Sequence, residues 1–350
     1  MLTFVECQGT SYEMGRQYGE ACRDQLAKAL EMNINKLRHF AKINREDILA
    51  NAHKFLPQAE AFDPELIAFL RGEAEGAGIH FDEAFYLRCS LEILLYYGKI
   101  ASLCTSFAAT GMATKDGKTI LGQNIDWFSD FPVALLKLRY ASGLGQLALS
   151  FGGVAEYVLS SRGFGLCANL TLAPRENYRA GLPYGCYLPK VMRQEKIGDA
   201  LGVLCQVARG TGYYQLASSE GDLVGYESTY DDFNVLHPDK DMQVHANHYL
   251  TERFQKGDWG YTIFPDTYLR VNRIKRLMEL QYGEITPEVM MKILSDHNNY
   301  PDAICRHANQ NLSPEHHSET LASFIMVPEE RKMYIAYGNP CQSDYLQYTL

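Results

Sequence analysis

The chain has 350 residues, 46% of them hydrophobic and 21% charged, a globular balance that excludes long disordered stretches and suffices for one large core or a core with a helical extension. Its 33 Lys plus Arg against 42 Asp plus Glu leave a net charge of -9 with no basic block, which excludes nucleic acid as a partner, because phosphates need a basic face. The opening MLTFVECQGTSYEMG has no basic start and no long apolar run, and the apolar stretch Leu91–Tyr97 is too short for a bilayer; the expectation is a soluble, cytoplasmic protein without membrane contact.

In chain order, Tyr12–Leu37 has few breakers and apolar residues at helical spacing, and Ile48–Phe55, Glu65–Ala74 and Phe81–Tyr96 repeat the pattern. Asp63-Pro64 and Phe81-Asp82 read as helix starts. After Ser102 the texture turns to strands: Thr105–Ala113, a turn at Lys115–Lys118, Thr119–Asn124, Ala134–Tyr140, Gln146–Phe151, Tyr157–Leu159 and Gly163–Asn169. Pro189–Gly210, Tyr268–Tyr282 and Pro287–Ser295 read as helices, Tyr213–Tyr226 and Met242–Ala246 as strands, and Thr320–Pro328 with Lys332–Tyr337 as a closing hairpin. Helices first and antiparallel strands later give an α+β class. The change of texture near residue 103 has no Pro/Gly/Ser-rich linker, which suits a processing site inside one fold better than a border between two domains.

Nine cysteines, an odd number without an export signal, argue against a disulfide framework. There is no CxxC pair, and the pairs His245/His248 and His316/His317 lack a third ligand, so no metal site is expected and these histidines read as hydrogen-bonded or surface residues. Most of the thiols read as small buried hydrophobes. Cys104 differs because it stands at the helix-to-strand border. A thiol of pKa ~8.5 needs a base. If the bond between Leu103 and Cys104 is cut, the new α-amine, with a pKa of ~7.7–8, supplies that base from the same residue. Asp126, on a strand running back toward Cys104, could hold the amine, and Asn247, in His245-Ala246-Asn247-His248-Tyr249, offers an oxyanion donor.

Taken in order, Gly9–Gly15 with Gly19, Cys104-Thr105, Gly122-Gln123-Asn124-Ile125-Asp126-Trp127, His245–His248, Asn299-Tyr300-Pro301 and Ile304-Cys305-Arg306 span nearly the whole chain. Together they resemble the acyl-coenzyme A:6-aminopenicillanic acid acyltransferase family of cysteine N-terminal-nucleophile enzymes, with bile-salt hydrolase and penicillin V acylase as more distant relatives. The resemblance implies a four-layer αββα sandwich, with residues 1–103 as a helical segment that stays bound after self-cleavage and 104–350 as the catalytic region. It implies Cys104 as nucleophile, Asp126 as holder of its amine, Asn247 in the oxyanion hole, and Arg273 as an arginine near the nucleophile. Gln123 stands where the hydrolases carry an arginine. The interval from Cys104 to Asp126 exceeds that of the penicillin acyltransferase, and His316-His317-Ser318-Glu319-Thr320 lacks the arginine which that enzyme has before its last hairpin.

Each residue also has a plainer reading. Cys104 could be an inert buried thiol, Asp126 a turn residue, Asn247 a strand-end residue and Arg273 part of a solvated helix face with Arg270, Lys275 and Arg276. Asn169 could point into the site or belong to a turn. Trp127, Phe128 and Tyr249 suit an apolar acyl pocket or ordinary core packing. The expected function is a self-processing amidohydrolase or acyltransferase working through a Cys104 thioester. It needs no cofactor, acts on a small N-acyl amide with acyl-coenzyme A as a candidate donor, and has a homodimer as its base-rate assembly. The alternative is an uncleaved, non-catalytic protein of the same fold that binds a ligand or partner.

Overall fold

The computed structural model describes residues 2–97, 103–173, 181–207 and 212–350. A first strand β1 (Thr3–Gly9) leads into α1 (Ser11–Ala21), α2 (Arg23–Ala41), α3 (Arg45–His53), α4 (Leu56–Phe62), α5 (Pro64–Ala77) and α6 (Phe81–Tyr96). The hairpin β2 (Leu103–Ala109) and β3 (Ile120–Phe128) follows, then β4 (Val133–Tyr140), β5 (Gly145–Phe151), β6 (Val154–Ser160) and β7 (Phe164–Asn169). Next come α7 (Tyr184–Met192), α8 (Ile197–Val207), β8 (Gly212–Ser218), β9 (Leu223–Ser228), β10 (Phe233–Leu236) and β11 (Met242–His245). The chain ends with α9 (Glu252–Gln255), α10 (Gly260–Ile263), α11 (Asp266–Glu279), α12 (Pro287–Leu294), β12 (Ser318–Val327), β13 (Lys332–Tyr337) and β14 (Leu346–Thr349). The α+β class is as the sequence indicates. Among the described residues, no helix is long and apolar enough to cross a membrane.

Two expected helices are each broken in two. The Tyr12–Leu37 pattern is interrupted at Cys22, which caps the end of α1 and the start of α2; no Gly or Pro marks the break. The Pro189–Gly210 pattern divides into α7, which carries Pro189 in its interior, and α8; residues 208–210 lie outside the described residues.

The contacts divide the chain into two compact units. The first comprises Met1–Ile100, Phe131–Arg162 and Arg179–Ala208. In this unit β1 runs parallel to β4, from Thr3 opposite Ala134 to Gly9 opposite Tyr140, and β5 pairs antiparallel with β4 and β6. A backbone ladder therefore ties the N-terminal segment to chain beyond Cys104. Thr10 caps α1 in a reciprocal box with Glu13. The helices α1 and α5 then meet backbone to backbone. A Cβ at Gly15 would stand 1.9 Å from the Phe69 carbonyl oxygen, and one at Gly72 would stand 2.0 Å from that of Tyr12. Only glycine permits this approach.

The second unit comprises Ala101–Asp130, Gly163–Tyr178 and Arg209–Leu350. It contains a six-stranded sheet in the order β11-β2-β3-β12-β13-β14 and an antiparallel run of β7, β8, β9 and β10. One face of the six-stranded sheet packs on α11 and α12 through Phe107, Ile274, Met278, Met290, Leu294 and Ile325. The other face meets β7: Gln123 donates to the Ala168 carbonyl at 2.7 Å and accepts its N–H at 3.1 Å, and Ser106 donates to Asn169 Oδ1 at 2.6 Å. Side chains alternate along a strand. Thr105 and Phe107 therefore face the helices, while Cys104 and Ser106 face β7.

Candidate active site

The β2–β3 register sets Leu103 opposite Asp126 and Cys104 opposite Ile125. Cys104 is buried. Its backbone N–H donates to Asn247 Oδ1 at 2.8 Å, and its carbonyl accepts from Arg270 Nη1 at 2.7 Å. The peptide flanking the nucleophile candidate is thus gripped on both sides by side chains from outside its hairpin.

Asn247 lies just after β11 and is itself fixed at three points. Its N–H donates to Thr267 Oγ1 at 2.8 Å, and its Nδ2 donates to the Leu170 carbonyl at 2.8 Å. The third point is steric: a Cβ on Gly260 would stand 2.2 Å from the Asn247 carbonyl oxygen. The flanking histidines are structural, as read from the sequence. His245 pairs through Nε2 with Glu227 at 2.8 Å, and Glu227 also accepts the N–H groups of Leu250 and Thr251. His248 Nδ1 meets Thr267 Oγ1 at 2.9 Å.

Arg270 is 1% exposed and spends its guanidinium on four acceptors. Besides the Cys104 carbonyl, it donates to Thr105 Oγ1 at 2.8 Å, Asn247 Oδ1 at 2.9 Å and Asp266 Oδ2 at 2.7 Å. Asp266 Oδ2 also accepts from Arg306 Nη2 at 2.6 Å. Burial raises the Asp266 carboxyl, but the two guanidinium groups outweigh it and hold the carboxyl below the usual range.

Arg306 continues the network to Asp126, with Nε 3.8 Å from Asp126 Oδ2. Asp126 is fully buried and accepts from Thr320 Oγ1 at 2.6 Å through Oδ1. Among the described residues its Oδ2 has no hydrogen-bond partner, nor has Arg306 Nε. Burial pushes the Asp126 carboxyl up to about 6, against the pull of Arg306, Arg270 and the Thr320 hydroxyl. Charged groups therefore run in series from Asp126 through Arg306, Asp266 and Arg270 to the Cys104 carbonyl, with hydrogen bonds at every link except the 3.8 Å ion pair of Asp126 and Arg306.

The structure does not bring Arg273 to Cys104. Arg273 is partly exposed and forms an ion pair with Asp296, with Nη2 2.6 Å from Oδ2. The buried stripe of α11 carries Thr267, Arg270, Val271, Ile274 and Met278; residue 273 lies off it. Gln123 does not present a free amide to a substrate, because both of its ends are used on Ala168. Tyr249 is fully buried with Ala173, Tyr230 and Phe254, and its hydroxyl donates to the Ser228 carbonyl at 2.8 Å, which makes it a core residue. Asn169 lies on β7 with Oδ1 on Ser106 and a buried Nδ2 that has no hydrogen-bond partner among the described residues. Trp127 and Phe128 end β3 with their rings edge-on at 5.2 Å, and strand alternation gives Trp127 the face of Cys104 and Phe128 the opposite one.

Sequence reasoning missed Arg270, Thr105, Asp266, Arg306 and Thr320. The apolar stripe Val271, Ile274 and Met278 could have pointed to Arg270, which shares it. Arg306 lies beside Thr320. Its N–H donates to Thr320 Oγ1 at 3.0 Å, and the Thr320 N–H donates to the Arg306 carbonyl at 3.0 Å.

Comparison with known proteins identifies the family and the fold. Residues 112–342 match the family described as acyl-coenzyme A:6-aminopenicillanic acid acyl-transferase. The chain is 23% identical over 354 residues to the acyl-coenzyme A:6-aminopenicillanic-acid-acyltransferase 40 kDa form of Emericella nidulans, covering 98% of this chain and 94% of that one. A mutant of conjugated bile acid hydrolase from Clostridium perfringens is similar in structure, with a TM-score of 0.50 and 12% identity over 71% of this chain and 97% of the hydrolase. Penicillin V acylase from Agrobacterium tumefaciens gives 0.48 and 12% over 71% and 86%. The first of these two likenesses shows the fold, that of the N-terminal-nucleophile hydrolases. The chain belongs to the acyl-coenzyme A:6-aminopenicillanic acid acyl-transferase family, and with it to the N-terminal-nucleophile enzymes that hydrolyse or transfer acyl groups at amide bonds.

Proposed function

We propose that the chain cuts itself between Leu103 and Cys104 and then uses Cys104 to take acyl groups from small N-acyl amides. In the first step the Cys104 thiol attacks the Leu103 carbonyl carbon. The C–N bond breaks, the nitrogen leaves as the α-amine carrying the thiol proton, and a thioester remains. Water then hydrolyses the thioester, freeing the Leu103 carboxyl and the thiol.

In turnover the α-amine takes the thiol proton, and the sulfur attacks the substrate amide. The proton passes to the leaving amine, and water or an acceptor amine resolves the acyl-enzyme. Asn247 holds the nitrogen of Cys104 through Oδ1, and its Nδ2 has a second hydrogen for the oxyanion. The Nδ2 of Asn169, without a hydrogen-bond partner among the described residues, is a second candidate donor. Asp126 Oδ2, buried and without a hydrogen-bond partner among the described residues, is the acceptor for the liberated ammonium form. Trp127 lines the acyl side. The name of the Emericella nidulans relative makes acyl-coenzyme A a candidate donor here.

The observation that carries this reading is the bond from the Cys104 N–H to the buried Asn247 Oδ1. It means that the nitrogen set free by cleavage is already held. Rapid quenching with an N-acyl amide followed by mass mapping is expected to find the acyl group on Cys104 and none in Cys104→Ala. Acylation at another residue, or unchanged turnover in Cys104→Ala, would reject it.

A further inference from the structure

Away from Cys104, four side chains with metal-binding donors converge: His297, Cys305, His307 and Cys341, whose ligand atoms all lie within 4.8 Å of one another. They come from three segments: the loop after α12, the approach to β12 and the turn after β13. His307 Nε2 stands 3.2 Å from His297 Nε2, 3.7 Å from Cys305 Sγ and 3.4 Å from Cys341 Sγ. One ring nitrogen offers a single hydrogen or a single in-plane lone pair, so it cannot bond three partners at once. Hydrogen bonding does not account for the cluster.

Metal coordination does. With Zn–N of ~2.05 Å and Zn–S of ~2.3 Å, a tetrahedron has N–N edges of ~3.3 Å and N–S edges of ~3.6 Å. The three distances fit those edges to within a few tenths of an ångström. Two thiolates and two imidazoles are a common donor set of closed zinc sites. Cys305 is buried while His297 is exposed, so an ion has an entry path.

We propose that His297, Cys305, His307 and Cys341 form a tetrahedral Zn²⁺ site. Two of the ligands flank Arg306, whose carbonyl accepts from Asn339 Nδ2 at 2.6 Å. The ion therefore pins the backbone on both sides of the guanidinium that faces Asp126 and Asp266. The site stands apart from the proposed reaction, and its test uses no turnover.

Full-length chain, purified with reductant, is titrated with Zn²⁺ against a chromophoric chelator and separately loaded with Co²⁺. The expected results are one Zn²⁺ bound per chain and a Co²⁺ spectrum with thiolate charge-transfer and intense tetrahedral bands. Cys341→Ser and His297→Ala, both at exposed positions, should keep the wild-type circular dichroism and weaken Zn²⁺ by more than ~100-fold. The proposal is overturned if folded, reduced wild type takes up no Zn²⁺. Uptake unchanged in both variants, or a Cys305–Cys341 disulfide that persists when Zn²⁺ and reductant are present, would overturn it as well.

Discussion

Arg270 donates to the backbone carbonyl of Cys104 at 2.7 Å, while sharing Asn247 Oδ1 with the Cys104 N–H. The arginine therefore fixes the nucleophile candidate through its main chain and leaves the sulfur to the other face of the sheet. Removing one partner from such a buried network costs about 3–5 kcal/mol, and a misplacement of about 1 Å in a reacting group costs about 100-fold in rate. Arg270→Lys is expected to lower urea stability and to slow turnover by that order. Arg273→Ala, three residues on, should stay within about twofold in turnover and lose under ~1 kcal/mol, because its ion pair is partly exposed. Steady-state kinetics and urea titration of both variants check the contrast.

Asp126 gives the protein a pH signature. Its carboxyl titrates near 6 in the folded chain, chiefly because it is buried, against about 3.9 when unfolded. Between those values the folded state binds the extra proton. Stability from this group is thus present at low pH and falls as pH rises toward 6. In the uncut Cys104→Ala background, the parent should lose on the order of 2–3 kcal/mol more than its Asp126→Asn counterpart between about pH 4 and 7. Urea titrations across that range measure the difference, and parallel curves would remove the assignment.

Asn247→Ala is expected to lower stability, because it takes a buried partner from Cys104 and Arg270, and to slow the reaction in the protein that stays folded. Loss of one oxyanion donor costs about 2.7–4 kcal/mol of barrier, so Asn247→Ala should turn over a few hundredfold more slowly. Single-turnover rates, paired with thermal melts to confirm folding, decide this. Normal turnover would reject the role.

The glycine contact of α1 and α5 is a stability site. Gly72→Ala would put a methyl 2.0 Å from the Tyr12 carbonyl oxygen, forcing the helices apart at a cost of about 1–3 kcal/mol or more. Gly198→Ala on α8 meets nothing within 4 Å and should be neutral or slightly stabilising. Thermal unfolding of the two variants side by side is the check.

Much of this was legible in the chain, and the pattern of misses has a physical cause. The pattern Phe81–Tyr96 gives the same bounds that α6 has, because its cap and apolar spacing are local. The turn at Lys115–Lys118 sends the next strand back toward Cys104; the sequence pattern ends that strand at Asn124, while the structure carries it through Asp126 to Phe128. The strand β1 was missed because its stability comes from parallel pairing with β4, a partner more than a hundred residues away. Arg306 and Thr320 join Asp126 from distant loops and strands, so no spacing announces them. The same holds for the four clustered His and Cys ligands, whose three segments leave no CxxC signature. Arg273 rests on the resemblance alone, whereas the apolar stripe Val271, Ile274 and Met278 marks Arg270 as the arginine of α11 that faces inward.

The most direct measurement is the intact mass of purified wild type, with stepwise sequencing of its termini. The account requires two fragments, 1–103 and 104–350, held together in the native state in part by the pairing of β1 with β4, with the second beginning at Cys104 and with Cys104→Ala remaining whole. A wild-type chain that stays a single 350-residue species while catalysing acyl transfer would contradict it.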